Sequence, residues 1–134
     1  MVLRNTFGKD ERLKREQNIE TLFRSGKAFS VFPLRLIWQV VPRGEDKFPA
    51  RTGFSAPKKK FRKAVSRNRL KRLMREAWRL QKAALYAVIP ADAQLHLFII
   101  YTDSKEQPYE TVYNAVTKGI ATLQTNAFTF PTDA

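Results

Sequence analysis

Arg67-Asn68-Arg69-Leu70-Lys71-Arg72-Leu73-Met74-Arg75 places five cations in nine residues and still spaces its apolar side chains as a helix does. Extended outward, the pattern predicts one long helix over about Ala64 to Tyr86. At about 100° per residue, Ser66, Leu70, Leu73, Met74, Ala77, Gln81 and Ala84 cluster on one side. Asn68, Lys71, Arg72, Arg75, Arg79 and Lys82 cluster on the other. Residues 54–82 hold twelve Lys/Arg against one acid, Glu76, and so carry most of the chain's net charge of +13. A helix exposed only to water normally interleaves acids and bases. This one stacks like charges, an arrangement that a phosphate backbone would neutralise. A field so localised asks for a polyanion, with nucleic acid first.

The rest of the chain supplies the scaffold for that helix. Ile19, Leu22 and Phe23 predict a first helix from about Lys14 to Ser25, stopped by Gly26. Phe32 to Val41 reads as a strand, with Phe32, Leu34, Leu36, Trp38 and Val40 on one face and Arg35, Ile37, Gln39 and Val41 on the other. Pro42 to Pro49 reads as a long hairpin loop, and Thr52 to Ala56 as a second strand ended by Pro57. The basic loop Lys58 to Lys63 leads into the long helix. Leu95 to Tyr101 is apolar enough for a strand covered on both faces. Val112, Ala115, Val116, Gly119, Ile120 and Leu123 mark a last helix over about Tyr109 to Gln124. Helix, two or three strands, helix, strand, helix implies an α/β (α+β) fold with helices packed on a small sheet.

At 134 residues and 43% hydrophobic content, one domain with a real core is expected, its core at about 9–124 and its flexible ends at 1–8 and 125–134. No window approaches about 18 uninterrupted apolar residues, and Met1 to Asn18 lacks the apolar segment of a secretory signal. The absence of cysteine fits a reducing cytoplasm and excludes disulfides and thiolate chemistry.

No protein active site is legible. His96 is the only histidine, so two-histidine ribonuclease chemistry is excluded, and its apolar strand points to a core or edge position. The acids are scattered, and the adjacent pairs Asp10-Glu11 and Glu45-Asp46 read as surface acids in an arm and a loop, not as a two-metal site. There is no Walker loop and no zinc spacing. Phe23 is open to two readings, core packing or stacking on a base; Phe61 likewise anchors its loop or stacks on RNA. Asn68 reads either as a solvated polar residue or as a reader of a base edge or ribose hydroxyl.

Arg67-Asn68-Arg69 followed by Lys71-Arg72 and Arg75 resembles the signature helix of the bacterial ribonuclease P protein subunit. The resemblance runs over about residues 9–124. Leu13-Lys14 through Ile19, Phe23 and Gly26 is similar to the family's first helix, and Gly53-Phe54-Ser55-Ala56-Pro57-Lys58-Lys59 to its central strand. Ile19 stands where an aromatic is common, and the tail after Gln124 has no placed counterpart.

The resemblance implies a compact αβββαβα two-layer sandwich like the second domain of a small-subunit ribosomal protein. It also implies a left-handed βαβ crossover, where physics alone favours a right-handed one. It implies a protein that assists a catalytic RNA in removing the 5′ leader from precursor tRNA, with no catalytic residue of its own and magnesium held chiefly by the RNA. By resemblance, Arg67, Asn68, Arg69, Lys71, Arg72, Arg75 and Arg79 contact the catalytic RNA. Ile19, Phe23, Arg35, Lys58 and Lys59 contact the single-stranded leader, in a cleft between the first helix and the sheet. The implied partners are those two RNAs, with no membrane and no obligate protein partner. The alternatives are a basic structural or ribosomal RNA-binding protein and, less so, a stand-alone nuclease.

Overall fold

The computed structural model describes residues 11–13 and 16–127. Its elements are α1 (Glu16–Ser25), β1 (Lys27–Val31), β2 (Leu34–Pro42), β3 (Ala50–Ser55), α2 (Ala64–Tyr86), β4 (Ala93–Tyr101) and α3 (Tyr109–Asn126). The start of the first helix expected at Lys14, the end expected to be flexible at 1–8, and residues 128–134 of the one expected at 125–134 lie outside the described residues. Thr125 and Asn126 continue α3.

The strands form one sheet in the order β1-β2-β4-β3. β1, β2 and β4 pair antiparallel, and β3 runs parallel to β4. Two expectations change here. Pro42 to Pro49 does not close a hairpin, because β4 lies between β2 and β3. Phe32 is not a strand residue: Phe32-Pro33 is the two-residue turn between β1 and β2, and the Phe32 side chain is exposed. Pro33 was the available signal, since proline is disfavoured inside a strand.

Alternation decides what each sheet face meets. Leu34, Leu36 and Trp38 of β2 align with Tyr101, Ile99 and Leu97 of β4, and Thr52 of β3 also pairs with Leu97. All are buried, under α2 and α3. α2 contributes Leu70, Met74, Ala77, Trp78 and Leu85; α3 contributes the stripe from Val112 to Leu123. Gly119 lets α3 approach closely, because a Cβ there would stand 2.9 Å from Leu36 Cδ2.

α1 lies across the opposite face, with fully buried Leu22 beneath it and Phe23 against Phe98. Its predicted apolar face is only partly covered: Ile19 is half-buried and Phe23 is 51% exposed. The Gly26 N–H donates to the Leu22 carbonyl at 2.8 Å, which ends the helix. A Cβ at Gly26 would fall 2.4 Å from that same oxygen, so the position admits no side chain without a backbone shift.

Candidate nucleic-acid interface

The cationic residues of α2 divide into an outward strip and a flank. Asn68, Arg69 and Arg72 are exposed, whereas Arg67, Lys71, Arg75 and Arg79 are half-buried. Arg67 folds back and donates from one guanidinium nitrogen to the carbonyls of Phe61 and Arg62, each at 2.8 Å. It thereby ties the basic loop to the start of the helix. Phe61 is buried with its ring edge against Tyr101, so it anchors that loop. Arg69 pairs with Glu106 at 3.2 Å, and Arg79 with Glu76 one turn away. Among the described residues, Arg72 and Arg75 make no ion pair, and Arg75 Nε is buried without a hydrogen-bond partner. Burial first, then the neighbouring charges of Arg12 and Arg72, push the Arg75 guanidinium below its usual range. α2 begins with no acid in its first turn and no side-chain cap, so its positive end adds to the field.

Lys82 corrects the expected polar face. It is 3% exposed and forms an ion pair with Glu11, and the Tyr86 hydroxyl donates to the same carboxylate oxygen at 2.9 Å. Glu11 was read as a surface acid in a mobile arm; it is 4% exposed. The pairing spans 71 residues, and no local spacing announces it. Burial, then the charge of Glu11, raise the Tyr86 phenol. Ala84, expected on the apolar side, is exposed, and Trp78 is fully buried instead. The buried face is thus rotated toward Trp78 and Lys82.

The outer sheet face offers a second surface. The Phe23 ring meets Phe98 edge-on at 5.2 Å and 83°. Phe98 occupies space left by Gly53, where a Cβ would lie 2.8 Å from the ring. Arg35 is exposed on this face, 3.4 Å from Ser30 Oγ. Both Arg35 and Ser55 pair with Ile100, so the exposed Lys58 and Lys59, just beyond β3, sit at the Arg35 end of the sheet.

Toward the other end lies a cleft of about 510 Å³ between α1 and the sheet, lined by Asn18, Thr21, Gln39, Val41, Pro42, Asp46, Arg51, Gln94 and His96. None of the five residues expected to hold a leader lines it. Its polar groups are organised. Arg51 pairs with Asp46 at 2.6 Å, Gln94 donates to Asp46 Oδ2 at 2.8 Å, and His96 Nε2 is 2.9 Å from Gln94 Oε1. Burial acts to raise the Asp46 pKa, but hydrogen bonds from Arg51, Gln94 and the Phe48 N–H outweigh it and bring it to about 2. Burial, then the Arg51 charge, lower the His96 pKa against the opposing pull of Asp46, so the ring stays neutral near pH 7. The alternation of β2 had already set Gln39 on this face; the Asp46 and Gln94 contributions needed the fold. Among the described residues, no group of three or more His, Cys, Asp or Glu is arranged to hold a metal.

Comparison with known proteins is consistent across sequence and fold. A family model described as Ribonuclease P matches residues 7–124. The ribonuclease P protein component of Porphyromonas gingivalis is 40% identical over 127 residues, 90% of each chain. That of Chlorobium phaeobacteroides is 42% identical over 101 residues, covering 71% of this chain and 69% of the relative. Among solved structures, the RNase P protein of Staphylococcus aureus superposes with a TM-score of 0.66 at 18% identity, over 89% of this chain and 98% of that one. The RNase P protein of Thermotoga maritima gives 0.63 at 24%, over 82% and 94%. At these identities the structural likeness speaks for the fold.

Proposed function

The chain belongs to the ribonuclease P protein family, and on that premise we propose that it is the RNA-binding protein subunit of ribonuclease P, acting in tRNA 5′ processing beside a catalytic RNA. The observation that carries the reading is the outward face of α2. Asn68, Arg69, Lys71, Arg72 and Arg75 stand there with few acids between them, on a helix whose other face is firmly packed. Arginine suits this task because its planar fork matches two phosphate oxygens and keeps its charge.

The two surfaces lie on opposite sides of one sheet. α2 presents Asn68, Arg69, Lys71, Arg72 and Arg75 to the catalytic RNA, with Arg67 holding the loop and Arg79 extending the strip. The other side presents Phe23, backed by Phe98, with Ile19, Arg35, Lys58 and Lys59, to the single-stranded 5′ leader of precursor tRNA. A stacking platform within a cationic groove holds a single strand without strict sequence demands. The protein is then a bridge between two polyanions. It lowers their repulsion, which reduces the magnesium required, and it fixes the leader so that the scissile phosphate is positioned. Magnesium in this reading is held chiefly by the RNA, which performs the cleavage. The single histidine is buried and bonded to Gln94, which suits structure better than general-base work. The cytoplasm is the expected compartment, and no described helix is long and apolar enough to cross a membrane.

The test is cleavage of precursor tRNA at low magnesium by the cognate catalytic RNA, with and without the protein. Strong stimulation, with no cleavage by the protein alone, is the expected result. Tight RNA binding without stimulation would favour a structural RNA-binding role, and cleavage without RNA would reveal a protein active site.

A further inference from the structure

Residues 11–13 do not trail away from the fold. Arg12 bridges in parallel to Thr52 of β3, and the Leu13 N–H donates to the Thr52 carbonyl at 3.1 Å. Leu13 is buried on one side of Arg12, and Glu11 is buried on the other in its pair with Lys82 and Tyr86. Arg12 between them is exposed. Two buried neighbours therefore fix the register of one exposed arginine along the outer edge of the sheet. That edge faces the flank of α2. Lys82 and Arg75 stand on that flank two helical turns apart, and the pair of Glu11 with Lys82 holds the adjoining Arg12 beside it. The electrostatics agree, since Arg12 and Arg72 both act on the Arg75 guanidinium. Arg75 Nε, buried and without a partner, is a donor in want of an acceptor.

We propose that Arg12, Arg72 and Arg75 form one phosphate-binding site for an RNA backbone at the junction of β3 and α2. The Glu11–Lys82–Tyr86 cluster is its positioning element. This rests on the reading of α2 as the face for the catalytic RNA and deepens it. The site joins an N-terminal residue to the signature helix, and a phosphate there relieves the repulsion among three guanidinium groups while giving Arg75 an acceptor. Lys82 and Glu11 touch no RNA. They act through the backbone of Arg12.

The test is the salt dependence of affinity between the full chain and the catalytic RNA. Arg12→Ala is expected to reduce the log–log slope in magnitude by about 0.7 to 0.9, one phosphate contact, and to weaken binding about five- to tenfold near 0.1 M salt. Arg12→Lys should keep the slope. Unchanged slope and affinity in Arg12→Ala, with losses in Arg72→Ala and Arg75→Ala, would overturn the joint site and leave the proposed function standing. No loss in any of the three would overturn the reading of α2 itself.

The positioning role is read in a second background. Glu11→Lys sets like charges against each other at Lys82 and should abolish the effect of adding Arg12→Ala. The exchange Glu11→Lys with Lys82→Glu should restore it. An Arg12→Ala effect that persists undiminished beside Glu11→Lys would overturn the positioning role. Should Glu11→Lys fail to fold, Glu11→Gln serves the same comparison.

Discussion

α2 and α3 lie side by side on the same face of the same sheet, and each buries an apolar stripe against it. Outward they part. α3 carries Lys118 and Glu110 as its charged residues, whereas α2 carries seven Lys/Arg against Glu76. The fold accepts a nearly neutral solvent face on a helix in this layer, so packing does not require the charge of α2. Only one of those seven cations, Lys82, is committed to the interior. Among the others, Arg72 and Arg75 act on each other as like charges, which is a cost to the free protein and a gain to a complex with RNA.

The largest expected effects should erase the difference between the two helices. Trp78→Ala in α2 and Leu123→Ala in α3 each remove a fully buried side chain. They should cost about 3 to 5 and about 2 to 5 kcal/mol, respectively, in denaturant unfolding. Affinity for RNA should follow only the folded fraction. A selective loss of RNA affinity in Trp78→Ala at full folding would show that the two faces of α2 are not separable.

The outward faces should then separate them. Arg72→Ala with Arg75→Ala is expected to leave the thermal midpoint unchanged or slightly raised and to reduce the salt slope of RNA binding by about 1.4 to 1.8. Lys118→Ala in α3 should do neither. Equal losses from both helices, in the same titration, would mean that RNA senses net charge and not a surface.

A smaller effect concerns the other side of the sheet. Phe23→Ala should remove about 1 to 3 kcal/mol of leader binding, read as lost preference for precursor over mature tRNA. Affinity for the catalytic RNA should be untouched. A change confined to stability would make the Phe23–Phe98 contact a packing contact.

The pH response is the smallest, and its upper part reports on the outer sheet face through His96. His96 has a lowered folded pKa, so the unfolded chain takes up its proton first. Stability should decline as pH falls below about 6.5, until the folded ring also titrates. Asp46 has the opposite ionic form but the same sign. Its folded pKa of about 2 lies below the ordinary 3.8, so its contribution is full above 3.8 and is lost as pH falls toward 2. Thermal melts from pH 7 to 3 should show both declines, and His96→Gln should remove the upper one. A flat profile in the wild type would contradict the Asp46–Gln94–His96 network.

Local periodicity made α2 legible to its ends, because amphipathic spacing persists from Ala64 to Tyr86. The stripe of α3 and the alternation of Leu34, Leu36 and Trp38 were legible for the same reason. β1 was not resolved as a separate strand, since Lys27–Val31 is short and has only half-buried Phe29 and Val31 facing inward. Lys82 was misread because its partner lies far away in the chain, and charge alone placed it with the exposed cations. Arg67 and Arg69 were expected to face RNA; the structure adds the Phe61 and Arg62 carbonyls and Glu106 as their neighbours. The polar end of the outer cleft assembles from a loop and three strands, which no single window of sequence contains.

The strand order β1-β2-β4-β3 also has a bearing on biosynthesis. Among the described residues, β4 is the last strand to leave the ribosome, and it occupies an interior place, paired on both sides. Until it emerges, the β1–β2 hairpin and β3 have no shared partner, and α2 has been made without a finished sheet to cover. The edge contacts of residues 11–13 wait as well, for Thr52 and Lys82. The nascent chain therefore closes in one late step and does not grow outward from an early edge, a non-local topology of the kind that slows folding. During that interval the apolar stripe of α2 and its cations are exposed together, so the most basic segment of the protein meets its surroundings before the domain exists.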